Sequence, residues 1–295
     1  MDVININRVY KNFGKKEVLK DINLNVEEGK IYGLFGKNGA GKTTLIKIIL
    51  GLYFPTSGEV YVFGKNPRNG GMKEIGYLSE NLAGYFELSA YDNIDIVAKM
   101  QGIKLRRKEI FQILDMVKLK EAAEKRVKDF SLGMKRRLQL TFALCMGEKR
   151  LIILDEPTNG LDIEGVAWFK EKMKEIKKEG KTIFISTHAF REAEDIIDEF
   201  IIMHKGEIKK KGCISELESK NKKLMKISDE DVIAFESLLN SLRINFVRKH
   251  PSEFIVEEKE NVNLIEEMVK RKIEIQKLET YRESLEQIFE TLTKE

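Results

Sequence analysis

The chain has 295 residues, 42% of them hydrophobic and 34% charged, and its 52 basic and 48 acidic side chains leave a formal net charge of +4. At about 100–200 residues per domain this length suggests two domains, and the composition argues against a disordered, collagen-like or low-complexity chain. The near-balance of charge gives little support to a dedicated nucleic-acid binder, and two cysteines, Cys145 and Cys213, cannot build a disulfide framework or a metal cluster, which points to a reducing compartment.

Taken in chain order, Val3–Val9 and Ile22–Val26 alternate apolar and polar residues as half-buried strands do. Ile31–Phe35 is a short apolar run opening into a glycine-rich loop, and Thr43–Leu50 reads as a helix. Val60–Phe63 and Ile75–Ser79 read as further strands. From about 81 to 147 the pattern is mostly helical, with apolar residues at helical spacing in Ile110–Val117 and Leu138–Cys145. Strand and helix then alternate: Leu151–Leu154, helix Ile163–Lys178, Thr182–Ser186, helix Phe190–Asp195 and Phe200–Met203. This order predicts an α/β fold with a mainly parallel sheet, interrupted by a helical block.

Beyond Gly212 the character changes, and residues 223–295 hold no glycine and one proline, Pro251. The pattern predicts strand Leu224–Ile227, helix Asp229–Leu242 capped by Ser228, strands Ile244–Arg248 and Glu253–Glu257, helix Val262–Arg271, strand Ile273–Leu278 and a last helix Ser284–Leu292. That β-α-β-β-α-β order with one added helix is a ferredoxin-like α+β plan. The expected division is therefore a domain over 1–212 and an accessory domain over 213–295. The last helix places Leu285, Ile288, Phe289 and Leu292 on one stripe, expected to pack within the small domain or to serve as a dimerisation or regulatory surface. The apolar runs all fall far short of the roughly 18–20 residues of a membrane span. The N-terminus lacks the basic start and apolar core of a signal peptide, so a cytoplasmic location is expected.

Chemistry enters with Gly36-Lys37-Asn38-Gly39-Ala40-Gly41-Lys42-Thr43, a complete phosphate-binding loop pattern between an apolar strand and a helix. Its glycines let successive backbone N–H groups face phosphate oxygens, and the helix N-terminus adds its positive dipole. Lys42 is expected on the β- and γ-phosphates, Thr43 on Mg²⁺, and Thr44 follows on the helix. A glycine-rich turn without ligand is the competing reading, disfavoured by the strand-loop-helix context. The run Leu151-Ile152-Ile153-Leu154-Asp155-Glu156 delivers two carboxylates at the C-terminal end of a buried strand, where open α/β sheets bind ligands. Asp155 is expected to support Mg²⁺ and Glu156 to polarise the attacking water. Lys135-Arg136-Arg137 reads as a phosphate contact or a solvated helix face. The cluster Lys209–Lys211 is a weak candidate for anionic lipid, and Cys145 reads as a core residue.

With these residues in place the sequence resembles the ATP-binding cassette (ABC) ATPases over about residues 1–212. Asp155-Glu156-Pro157-Thr158-Asn159-Gly160-Leu161-Asp162 looks like their Walker B and D-loop run. Phe13 matches the aromatic residue that stacks on adenine, Glu80 falls at the Q-loop position, Ser131-Leu132-Gly133-Met134 matches the signature, and His188 matches the switch histidine. Two departures stand out: Leu132 and Met134 replace a glycine and the glutamine of the usual signature, and Glu80 replaces the usual glutamine. Similar variants occur in ABC-2 exporter cassettes, including bacitracin-type transporters, and the ending ESLEQIFETLT resembles theirs too.

The resemblance implies an ATPase with ATP and Mg²⁺ as ligands. Glu156, His188 and Lys42 would be catalytic. Phe13, Gly36, Asn38, Gly39, Ala40, Gly41, Thr43, Thr44, Ser131, Gly133 and Asp162 would bind nucleotide, and Thr43, Glu80 and Asp155 would hold the metal. It implies a head-to-tail pair of such domains, with each ATP held by the loop of one and the signature of the other. It further implies a separate membrane permease docked on the helical block, where Asn81–Asn93 with Tyr85, Phe86, Leu88 and Tyr91 is the expected surface. No nucleic-acid partner is expected. A soluble ABC-type ATPase and an ATP-sensing regulatory module remain as alternatives at this point.

Overall fold

The computed structural model describes residues 2–69, 72–259 and 262–294. In chain order the elements are β1 (Asp2–Phe13), β2 (Lys16–Glu27), β3 (Ile31–Phe35), α1 (Lys42–Ile49), β4 (Ser57–Val62), β5 (Ile75–Leu78), α2 (Ala90–Met100), α3 (Arg107–Met116) and α4 (Leu132–Leu144). Then come β6 (Leu151–Asp155), α5 (Ile163–Lys178), β7 (Thr182–Thr187), α6 (Phe190–Ala193), β8 (Glu199–His204) and β9 (Glu207–Cys213). The last part holds β10 (Glu218–Ile227), α7 (Val232–Ser241), β11 (Phe246–His250), β12 (Glu253–Glu257), α8 (Leu264–Lys270), β13 (Ile275–Arg282) and α9 (Leu285–Thr293). The chain divides into two compact units, Met1–Cys213 together with Phe289–Glu295, and Ile214–Ile288.

In the larger unit a six-stranded sheet runs β5-β6-β7-β3-β8-β9. Its first five strands are mutually parallel and β9 is antiparallel to β8. β3, β6 and β7 are buried along their whole length, as parallel strands covered on both faces must be. A separate antiparallel sheet runs β2-β1-β4. Leu45, Ile46, Ile48 and Ile49 of α1 join the same core as Ile4, Ile6 and Leu24 of that sheet and Leu34 and Ile153 of the parallel one. β1 and β2 are longer than the alternation predicts. The reason lies at Arg8 and Asp21, whose φ of 47° and 45° are left-handed and shift the pairing register. A bulge of this kind breaks period-two alternation without ending the strand. β9 was not expected from the pattern, because Glu207–Cys213 carries three lysines and little apolar signal.

The helical block has its own core, built from Ala90, Ile94, Ala98, Ile110, Leu114, Phe130 and Leu138. Ser89 caps α2 by accepting the Asp92 N–H at 3.0 Å. Asn93, fully buried, accepts the Tyr85 N–H at 2.7 Å and donates to the carbonyls of Tyr85 and Ser89, which ties down the preceding loop. Tyr85 and Phe86 stay exposed on that loop, whereas Tyr91 faces Phe111 at 5.8 Å on the rim of the helical core. Of the expected surface, Tyr85 and Phe86 are exposed and Leu88 and Tyr91 half-buried.

The smaller unit has the four-stranded antiparallel sheet β11-β12-β10-β13 with α7 and α8 between its strands in sequence. The elements follow one another as the β-α-β-β-α-β order expected from the sequence, and the sheet order is that of a ferredoxin-like plan. Its core is Met225, Ile227, Phe235, Leu238, Leu239, Phe254, Val256 and Met268. Ser228 makes no side-chain cap; a short 3₁₀ turn, Asp229–Asp231, intervenes before α7, so that expectation is corrected. Phe289, on the stripe expected to pack within the small domain or to serve as a dimerisation or regulatory surface, belongs to the larger unit, where it meets Phe190 at 5.1 Å and His204 at 6.4 Å. Among the described residues no helix is long and apolar enough to cross a membrane.

Candidate functional site

The loop between β3 and α1 is shaped by close approach. A Cβ at Gly36 would lie 2.5 Å from the Met203 carbonyl oxygen, so only glycine lets the chain leave β3 in this direction. Gly41 has φ 106° and would press a Cβ to 2.8 Å from Leu19. The first N–H groups of a helix such as α1 have no intrahelical acceptor, and a helix N-terminus behind a glycine-rich loop is an arrangement that binds anions. A cavity of about 870 Å³ opens here, lined by Phe13, Asn38, Gly39, Ala40, Gly41, Lys42, Thr43, Thr44, Glu80 and Glu156. Gly36 does not line it.

Lys42 is buried, its ammonium donating to the Gly36 carbonyl at 2.7 Å and pairing with Glu156 Oε1 at 3.2 Å. The other Glu156 oxygen meets His188 Nδ1 at 2.9 Å and accepts the His188 N–H at 3.3 Å. Glu156 thus bridges the phosphate loop and the segment after β7. Its φ of 49° is left-handed, uncommon for a glutamate. Asp155, fully buried at the end of β6, accepts the Thr43 hydroxyl at 2.9 Å and the Ser186 hydroxyl on its other oxygen. Asp155 and Ser186 are register partners of β6 and β7. Tyr77, on the neighbouring strand, has its phenol pushed up to about 12 by burial, with the Asp155 and Glu80 charges adding to it.

Phe13 is 45% exposed and lines the cavity mouth, edge-on to Tyr53 at 5.5 Å with the Lys11 ammonium 4.8 Å from its ring. An aromatic face held in this way suits a planar heterocycle. Three basic residues missed in the sequence also line the cavity, Lys16 and Lys20 of β2 and Lys205 of the turn before β9. The Lys20 N–H to Gly206 carbonyl bond, 2.8 Å, brings that turn to β2. No local pattern reports such a long-range approach.

Ser131, Gly133 and Asp162 lie outside the lining of this cavity. Ser131 is exposed and caps α4, its oxygen accepting the Met134 N–H at 3.2 Å while its own proton remains to be donated. Asp162 caps α5, accepting the Gly165 N–H at 2.8 Å. Leu132, the unusual signature residue, lies over Gly160; a Cβ there would come within 2.5 Å of its Cγ. The glycine of the D-loop run thus accommodates the leucine of the signature. Arg136 corrects the reading of a solvated face, being 1% exposed, while Lys135 and Arg137 are partly exposed. Helical spacing carried the signal: Arg136, Leu140 and Ala143 share the buried face of α4.

The chain is similar to known proteins both in sequence and in fold. The family model described as ABC transporter matches residues 19–159. The bacitracin transport ATP-binding protein BcrA of Enterococcus faecalis is 40% identical over 78% of this chain and 75% of its own length. The lantibiotic transport ATP-binding protein SrtF of Streptococcus pyogenes is 39% identical over 70% of this chain and 89% of its own. A bacterial ABC transporter cassette solved as a dimer superposes with a TM-score of 0.65 at 25% identity, covering 72% of this chain and 98% of that one.

Proposed function

The chain belongs to the ABC transporter family, and on that premise we propose that it drives an exporter of peptide antibiotics or similar amphipathic compounds. It is an ATP-binding, ATP-hydrolysing subunit of an ABC transporter. The transport roles named for its relatives favour this over a soluble or purely sensing ATPase. The observation that carries the residue assignment is the continuous contact from Lys42 through Glu156 to His188 beneath the phosphate loop.

In this reading Phe13 receives adenine, and the loop N–H groups with Lys42 receive the β- and γ-phosphates. A phosphate oxygen competes with Glu156 for Lys42, so nucleotide binding releases the carboxylate to take a proton from the attacking water. His188 keeps Glu156 oriented and reaches the γ-phosphate. The hard oxygen donors of Thr43 and Asp155, already 2.9 Å apart, fit Mg²⁺, with Glu80 as a further ligand. The ion neutralises charge on the phosphate oxygens when bound. Ser131 and Gly133 lie outside the cavity, so a second chain must bring them to the γ-phosphate, with Asp162 on the same surface. A homodimer is the simplest such assembly. The exposed Tyr85 and Phe86 are the proposed contact for a membrane permease on a separate chain, which holds the protein at the inner face of the membrane.

The test is Glu156→Gln. Turnover is expected to fall ~10²–10⁴-fold, while binding of a fluorescent ATP analogue is retained. Unchanged turnover removes Glu156 from the proposed role.

A further inference from the structure

Arg136 is a large, fully buried cation that nothing in the reaction scheme above uses. Its guanidinium is spent on main-chain carbonyls. Nε donates to Pro157 at 3.3 Å, one terminal nitrogen to Ser79 at 2.8 Å and Glu80 at 3.2 Å, and the other to Asp155 at 3.0 Å and to Glu156. The only side chain it meets in this set is Gln139, at 3.4 Å, one turn along the same helix. Gln139 in turn donates to the Ala83 carbonyl at 2.8 Å.

These acceptors share a position. Ser79 and Glu80 follow β5, and Asp155, Glu156 and Pro157 end and follow β6, so all are carbonyls at the C-terminal edge of two adjacent parallel strands. Carbonyls at a buried strand end lose their ladder partners and must be satisfied otherwise. A planar fork of five donors meets several at once, which an ammonium cannot.

The residue most affected is Glu156. Its left-handed backbone persists only if its surroundings hold it. Its N–H donates to the Ser186 carbonyl at 2.9 Å, and its own carbonyl receives Arg136 and the Asn159 N–H at 3.3 Å. From that peptide the side chain reaches Lys42 and His188. Arg136 also stands five residues after Ser131 at the start of α4, so one side chain joins the signature helix to the carbonyls of both Glu80 and Glu156.

We propose that Arg136 is a positioning residue for ATP hydrolysis, fixing the Glu156 peptide and the Glu80 segment to α4 so that the carboxylate is aimed only while Ser131 and α4 are in place. Burial lowers the guanidinium's pKa, and the charges of Asp155, Glu80 and Glu156 oppose that shift. The cation therefore also offsets the crowding of three carboxylates at the site. This deepens the assignment of Glu156 and rests on it.

The experiment compares Arg136→Gln and Arg136→Lys with the parent and with Glu156→Gln, measuring kcat and KM for ATP, affinity for a fluorescent ATP analogue, and folded content by circular dichroism. Both Arg136 variants are expected to fold and to lose about 10–100-fold in kcat, with KM and analogue affinity within about 3-fold of the parent. Lysine is expected not to rescue, because it restores charge without the fork. A folded Arg136→Gln with kcat within about 2-fold of the parent overturns the proposal. So does a fall in kcat that tracks loss of folded protein in both variants, which would make Arg136 a packing residue. Full turnover in Glu156→Gln would instead remove the reading beneath it, a result the Arg136 variants alone cannot mimic.

Discussion

Lys42, Glu156 and His188 stand within hydrogen-bond distance in series, and the proposed function gives each a different task once a phosphate competes for the lysine. Replacing His188 with alanine should leave ATP affinity near that of the parent and lower turnover by ~10²-fold or more, measured as phosphate release. The contiguous motifs were legible in the sequence because one short segment carries both the backbone shape and the side chains, as in Gly36–Thr43 and Asp155–Glu156. Ser186 leaves no motif, since it acts across strands on Asp155, and the basic run Lys135–Arg137 does not show that Arg136 turns inward to main-chain carbonyls. Cys145 shows the same scale from the other side. Its thiol is pushed up to about 11 by burial, so at pH 8 only about 10⁻³ of it is thiolate. Iodoacetamide should modify it at least about 10-fold more slowly in the folded protein than after unfolding, as read by peptide mass mapping.

At the scale of elements, the join between the helical block and the parallel sheet is tight at one point. A Cβ at Gly76 in β5 would lie 1.9 Å from the Ala143 carbonyl oxygen of α4. Gly76→Ala should therefore destabilise the larger unit by about 1–3 kcal/mol, seen as a lower denaturation midpoint. The parallel strands were readable because burial on both faces makes them apolar throughout, and the ferredoxin-like order of β10–β13 was readable because helix and strand periods alternate cleanly. β9 and the full length of β1 were not, because lysines and a bulge erase the period on which such reading depends. The Leu132 contact with Gly160 is likewise invisible in one dimension. Gly160→Ala should lower turnover, and Leu132→Ala in the same chain should recover part of it, because the smaller side chain removes the clash though not the strain of φ 83°.

At the scale of the molecule, one chain carries one phosphate loop and one signature, and the residues of the signature lie outside the cavity lined by the loop. On the proposed reading a complete site takes two chains, with ATP as the bond between them. The exposed Tyr85 and Phe86 are proposed for a different contact, with the permease. Replacing both with alanine should leave basal ATP hydrolysis within about 2-fold of the parent while abolishing its stimulation by a co-expressed permease. The most direct test of the account is the sedimentation of Glu156→Gln with and without Mg²⁺-ATP. Hydrolysis is blocked in this variant, so the nucleotide should hold two copies together: a dimer with ATP, a monomer without it, and a monomer in both conditions once Ser131→Arg is added. A monomer at saturating ATP, or an ATP-induced dimer that survives Ser131→Arg, would contradict it.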